Sequence, residues 1–183
     1  MSEIYIDKTL YSGMPEPGRR LEKEMEVYRV LESLGIQYER VDHEEASSIE
    51  NLKSVEDFLG TSICKNLFLC NGSKTKFYLL LMPGDKKFLT KNLSKQIGSS
   101  RLSFAGDEHM MKFLNITPGS VSILGLMNDK QLSVSLVIDK ETAEQEYLGC
   151  HPLINTSTLK IKTSDILHVF LPYTGHEYKV VEL

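Results

Sequence analysis

A chain of 183 residues, 41% hydrophobic and 25% charged, has the make-up of one globular domain with a sizeable core, which excludes a disordered, coiled-coil or fibrous protein. Its formal net charge of -4 excludes a generally basic nucleic-acid coat, so any RNA contact must come from a local, salt-sensitive patch. Three scattered cysteines, Cys64, Cys70 and Cys150, form no C-x-x-C pair and so supply neither a disulfide scaffold nor a zinc ribbon.

The opening MSEIYIDKTL has no apolar run behind a basic start, so no signal peptide is expected. The longest apolar stretch, over 77–82, is far short of a membrane span, and a soluble, cytoplasmic protein is the expectation. Residues 1–18 read as a polar arm whose run Gly13-Met14-Pro15-Glu16-Pro17-Gly18 forbids regular helix. A helix follows with Leu21, Met25, Tyr28, Leu31 and Leu34 on one face, ended by Gly35, and then a strand over 36–41. Ser54 with Asp57 three residues on signals a short helix over 54–59, closed by Gly60. A strand over 66–70 runs into Asn71-Gly72, the strongest hairpin turn signal in the chain, and its partner lies over 77–82. Pro83-Gly84-Asp85 makes a second turn, and 90–97 and 107–114 suit short helices, the second entered through Gly106-Asp107.

Thr117-Pro118-Gly119-Ser120 turns the chain into 121–126, and Asn128-Asp129 turns it into an alternating strand over 132–138. A helix starts at Asp139, and Cys150-His151-Pro152 interrupts the stretch between it and the next strand. That strand over 156–161, a helix over 164–170 and a strand over 178–181 complete the chain. Helices and short strands that alternate irregularly with hairpins predict an α+β fold with a mixed sheet, not a doubly wound one. Nothing divides residues 19–183, which read as one domain behind the arm.

Several chemistries find no support. Neither G-x-x-x-x-G-K-[ST] nor G-x-G-x-x-G occurs, and G-x-S-x-G and H-E-x-x-H are absent too. His43, His109, His151, His168 and His176 lie far apart, so no metal and no cofactor is expected. What remains is Lys65, between a short helix and an apolar strand, which alone reads as a solvated strand-edge residue. Pro118-Gly119-Ser120-Val121-Ser122 offers a turn whose backbone N–H groups can face an anion or a developing oxyanion, although most Pro-Gly pairs are merely turns. His151-Pro152-Leu153-Ile154-Asn155-Thr156 places an imidazole, an amide and a hydroxyl within six residues, a run that also suits a capped turn. Lys86, Lys87, Lys91 and Lys95 with Arg101 form the densest basic stretch, which is ordinarily a solvated face and alternatively an RNA contact.

Taken together, these segments resemble the YbaK/prolyl-tRNA-synthetase-associated editing domain family from about Leu21 to the C-terminus. The resemblance rests on Lys65-Asn66-Leu67-Phe68-Leu69, Arg101-Leu102-Ser103-Phe104-Ala105, Pro118-Gly119-Ser120-Val121 continuing to Gly125-Leu126-Met127-Asn128-Asp129, and the run from His151 to Thr156. The chain looks most like the free-standing branch that removes alanine from mischarged tRNA-Pro. The resemblance implies a single α+β domain with a mixed, strongly curved central sheet flanked by helices, and a cleft for the aminoacylated 3′ adenosine. It implies Lys65 and Gly119 as catalytic residues, with Asn66, Ser120, Val121, Ser122, Ile123, His151 and Asn155 binding substrate. The family's glycine loop usually carries a proline four residues after its glycine, where this chain has Ile123.

The implied partners are the 3′ end of tRNA-Pro and, transiently, prolyl-tRNA synthetase. The implied reaction is water attack on the aminoacyl ester, with the substrate's own ribose hydroxyl helping to position water. Lys65 would supply positive charge, and the backbone of residues 119–122 would supply donors to the developing oxyanion. Ile123 and Leu124 are candidate walls of the amino-acid cavity, although core packing suits them as well. Two rival expectations stand beside this one: a deacylase for cysteinyl-tRNA-Pro, and a non-catalytic tRNA-binding module on the same fold.

Overall fold

The computed structural model of the chain describes residues 4–46 and 49–183. Its first half runs β1 (Tyr11–Ser12), α1 (Glu22–Ser33), β2 (Tyr38–Asp42), a 3-10 turn (Ile49–Leu52), α2 (Lys53–Leu59), β3 (Lys65–Asn71) and β4 (Phe77–Met82). Then come α3 (Thr90–Ile97), β5 (Leu102–Phe104), α4 (Asp107–Leu114), a 3-10 helix (Ile123–Asn128), β6 (Val134–Asp139), α5 (Lys140–Ala143) and β7 (Tyr147–Cys150). The chain closes with β8 (Ser157–Lys162), a helical run of α6 (Thr163–Asp165), a π segment (Ile166–Phe170) and α7 (Leu171–Thr174), and β9 (Tyr178–Val181).

The strands form two sheets where the sequence suggested one central sheet. The larger is mixed, in the order β5-β3-β4-β6-β9, with β5, β3 and β4 antiparallel and β4, β6 and β9 parallel. The smaller is antiparallel, in the order β1-β2-β8-β7. Every residue of β4 is buried, because the large sheet is covered on both faces. Leu79 and Leu81 enter the main core with Tyr28, Leu31 and Phe68, whereas Tyr78, Leu80 and Met82 meet Leu69, Leu93 and Val137 on the other face. That split follows from the two-residue period of a strand.

Helix α1 buries Met25, Tyr28 and Leu31 as its spacing predicts, and Gly35 ends it at φ +68. Leu21 stands outside that face, half exposed at the N-cap. Among the described residues, no side chain caps α2. The 3-10 turn leads directly into it, so Ser54 lies inside the helix and Asp57 pairs with Lys53 at 3.2 Å. The β3–β4 hairpin turns where Asn71-Gly72 predicts, but through a wider loop. Asn71 Oδ1 accepts from the Thr75 and Lys76 amides at 2.8 and 3.0 Å, holding residues 72–75 as the turn. The arm lies on the small sheet through β1 and through a bridge between Ile6 and His43. Among the described residues, no helix is long and apolar enough to cross a membrane.

An isolated parallel bridge, Ile63 with Gly149, joins the approach to β3 in the large sheet to β7 in the small one. A Cβ on Gly149 would lie 2.8 Å from Ile63 Cγ1 and 2.9 Å from the Ser62 carbonyl oxygen. Only glycine permits that approach. The bridge sets residues 64–65 beside residues 150–151, and the candidate site sits at this junction.

Candidate functional site

Lys65 opens β3 directly after the bridge, partly buried, and its ammonium donates to the Lys86 carbonyl at 3.0 Å. It faces a cleft of about 210 Å³ that Gly119, Val121 and His151 also line. Ala46, Leu52, Ile63 and Leu67 make the apolar walls. These four were not foreseen as site residues, because an apolar residue near a strand end carries no signal that separates a cavity wall from core.

Gly119 adopts φ +86, a left-handed conformation costly for any residue with a Cβ, and a Cβ there would stand 3.3 Å from Asn155 Nδ2. The Ser120 amide is occupied within the turn, donating to the Thr117 carbonyl at 3.2 Å. The amides of Gly119 and Val121 make no hydrogen bond among the described residues, so these two are the loop's available donors at the cleft. Ser122 Oγ accepts from the Leu124 amide at 3.2 Å and caps the adjoining 3-10 helix. Ile123, four residues after Gly119, is fully buried in the main core and anchors the loop by packing.

His151 is buried, and its Nδ1 donates to the Ser157 carbonyl at 2.8 Å. That bond leaves Nε2 as the unprotonated nitrogen. Burial pushes the His151 pKa down to about 4, so the ring is neutral near pH 7 and can accept a hydrogen bond. His43 stands against it, ring centroids 6.0 Å apart, with its Nε2 2.9 Å from Thr158 Oγ1; burial lowers its pKa too. Asn66 donates to the Cys64 carbonyl at 2.9 Å, while its buried Oδ1 has no partner among the described residues. Burial raises the Cys64 thiol to about 11 and pushes Cys150 up as well, so neither is poised as a nucleophile.

The fold therefore brings Lys65, Asn66, Gly119, Val121 and His151 to one cleft. Ser120 and Asn155 line an adjoining, larger cavity, and Asn155 donates to Glu45 at 2.8 Å. Ser122, Ile123 and Leu124 lie in the interior at 0% exposure, away from the cleft lining, so neither Ile123 nor Leu124 is a wall of it. Among the described residues, no group of three or more His, Cys, Asp or Glu side chains is placed to hold a metal ion.

Comparison with known proteins bears on this geometry. A family model described as the aminoacyl-tRNA editing domain matches residues 43–169. The prolyl-tRNA editing protein ProX of Acetoanaerobium sticklandii is 32% identical over 153 residues, covering 84% of this chain and 93% of that protein. The prolyl-tRNA synthetase associated domain-containing protein 1 of Danio rerio is 30% identical over 158 residues, 85% of this chain and 84% of its own. Its counterpart in Mus musculus is 31% identical over 164 residues, 87% and 95%. A solved structure described as a candidate trans-editing enzyme for prolyl tRNA synthetase superposes with a TM-score of 0.65 at 15% identity, covering 90% of this chain and 99% of that one; at that identity it speaks for the fold alone.

Proposed function

The chain belongs to the aminoacyl-tRNA editing domain family, and on that premise we propose that it is a deacylase that clears mischarged tRNA-Pro in trans, with alanyl-tRNA-Pro as its preferred substrate. The observation that carries this reading is the meeting of Lys65, Gly119, Val121 and His151 on one small cleft with apolar walls.

The bond to be broken joins the aminoacyl carbonyl carbon to a ribose oxygen of the terminal adenosine. Water adds to that carbon, its proton passes to solvent or to a nearby acceptor, and the carbonyl oxygen becomes an oxyanion. The tetrahedral intermediate then collapses: the carbon–ribose oxygen bond breaks, the ribose oxygen takes a proton, and free amino acid and intact tRNA leave. The Gly119 and Val121 amides are the donors available to the oxyanion, a narrower set than the whole of 119–122. Lys65 supplies positive charge beside the ester or the terminal phosphate. With Nε2 free, His151 can accept from the attacking water or from the vicinal ribose hydroxyl.

Walls built from Ala46, Leu52, Ile63, Leu67 and Val121 select by size. Shape discriminates small apolar groups by about 1–3 kcal/mol per methylene, and a clash with the larger prolyl ring adds to that. The testing experiment is deacylation of alanyl-, cysteinyl- and prolyl-tRNA-Pro by the wild type and by Lys65→Ala. Alanine should be released, proline retained, and the variant inactive. Faster release of cysteine would move the specificity to the other branch. Binding of uncharged tRNA with no turnover of any ester would replace the enzyme with a binding module.

A further inference from the structure

We propose that the larger cavity next to the candidate cleft receives the backbone phosphates of the single-stranded tRNA 3′ end, held by Arg19 and Lys23. This rests on the deacylase reading above and extends it from the ester to the nucleotides that precede it.

The two cavities share their dividing wall. Along the glycine loop, Gly119 and Val121 line the cleft while Ser120 between them lines the larger cavity, about 480 Å³ in volume. The segment after β7 repeats this division, His151 lining the cleft and residues 153–156 the cavity. An aminoacyl group is one end of a phosphodiester chain. If it occupies the cleft, the chain leaves across this wall, and the adjoining cavity is the space it enters.

The charges in the cavity suit that chain. Glu24 and Asp42 line it, but both are already neutralised: Arg20 reaches Glu24 at 2.7 Å and Asp42 at 2.6 Å, and buried Arg40 also pairs with Asp42. Arg20 is thereby fixed in the framework. Arg19 and Lys23 also line the cavity, and neither has a hydrogen-bond or ion-pair partner among the described residues. The Lys23 ammonium is partly buried with no carboxylate to compensate it, and burial alone lowers its pKa. Among the described lining residues Glu16 is the one carboxylate left to oppose the two free cations; Glu16 and Arg19 are both exposed, Lys23 is partly buried, and Glu45 reaches the cavity edge through its bond from Asn155. On a chain of net charge -4, two uncommitted cations beside an ester-binding cleft are a local anion site. The basic stretch near α3 loses Lys86 to Asp139 and Glu141, and its Lys87, Lys91, Lys95 and Arg101, though unpaired among the described residues, line neither the cleft nor the adjoining cavity.

The test is the double variant Arg19→Gln/Lys23→Gln in the full chain, with Lys87→Gln/Lys91→Gln for comparison. The first readout is binding of a 5′-phosphorylated CCA oligonucleotide by fluorescence anisotropy across a salt series. Arg19→Gln/Lys23→Gln should bind about tenfold more weakly, and its log–log salt slope should fall by about 0.7 for each phosphate no longer neutralised. The second readout is turnover: KM for mischarged tRNA should rise about tenfold with kcat within about twofold, as expected when uniform binding is removed. Turnover of the alanyl ester of adenosine, which has no phosphate, should hardly move. Unchanged affinity and slope would overturn the proposal, as would an equal loss on the phosphate-free ester or a larger loss in Lys87→Gln/Lys91→Gln. If the wild type hydrolyses no aminoacyl-tRNA, the deacylase reading fails by itself, and the oligonucleotide readout still decides the cavity.

Discussion

Lys65 donates its ammonium proton to the backbone carbonyl of Lys86 at 3.0 Å, while the Lys86 side chain is clamped between Asp139 at 3.1 Å and Glu141 at 2.6 Å. One lysine is thus free to present charge to the cleft, and the other ties the loop after β4 to the end of β6. The register that pairs Lys65 with Met82 brings this loop to the start of β3, so the position of the Lys65 ammonium depends on both strands.

Lys65→Ala is expected to lower single-turnover deacylation of alanyl-tRNA-Pro by about 10²–10³-fold, the usual effect of removing one group that stabilises developing charge. Thermal unfolding should shift little, since the side chain is only partly buried and makes one hydrogen bond. Near-normal turnover would remove Lys65 from the mechanism.

Gly119→Ala should destabilise the fold by about 1–2 kcal/mol, because the residue sits at φ +86 where a Cβ is strained. Activity should fall further than stability does, since the strain displaces the Gly119 and Val121 amides, the donors proposed for the oxyanion. Adding Asn155→Ala removes the 3.3 Å contact with the new Cβ but leaves the backbone strain, so urea unfolding should recover only in part.

Gly149→Ala tests the junction between the sheets. The new Cβ would meet the Ser62 carbonyl oxygen at 2.9 Å, a backbone atom that cannot rotate away, and the bridge to Ile63 must open. A loss of about 1–3 kcal/mol is expected by denaturant titration. Deacylation should fall with it, because Lys65 and His151 hang from the two sides of that bridge.

The folded chain binds a proton on His151 less readily than the unfolded chain does, since burial holds its pKa near 4 against the usual 6.5. The stability this represents is complete above about pH 6.5 and is lost as pH falls toward 4, amounting to about 3 kcal/mol in all. His43 shifts the same way. Asp42 titrates lower: burial alone would raise it, but hydrogen bonds from Arg20, Arg40 and Ser157 outweigh burial and hold it near 2. Urea unfolding from pH 7.5 down to pH 4.5 should therefore show a decline that His151→Gln flattens. An equally steep decline in the variant would assign it elsewhere.

Water as nucleophile predicts insensitivity to thiol chemistry. Cys64 and Cys150 border the cleft but are buried, with raised pKa values. Iodoacetamide on the native protein should leave deacylation intact, and Cys64→Ser should retain it within about tenfold. Inactivation that protects with substrate would point to a thioester route.

Most elements with a clear local signal are where the sequence puts them. The spans of β4, α3, α4 and β9 agree to the residue, since each is bounded by a turn, a glycine or an apolar run. Strands β5 and β7, of three and four residues, are too short to display a period and become strands only by pairing with β3 and β8. The sequence by itself singled out the candidate segments, Lys65, the Gly119 turn and the His151 run, through the resemblance that their order and spacing carry together, since each alone reads as an ordinary strand end or turn. Only the tertiary structure decided which side chain faces which cavity. In the loop from 119 to 123 consecutive residues turn alternately to cleft, neighbouring cavity and core, and a fully buried Ile123 differs from a cavity wall in nothing but what packs against it.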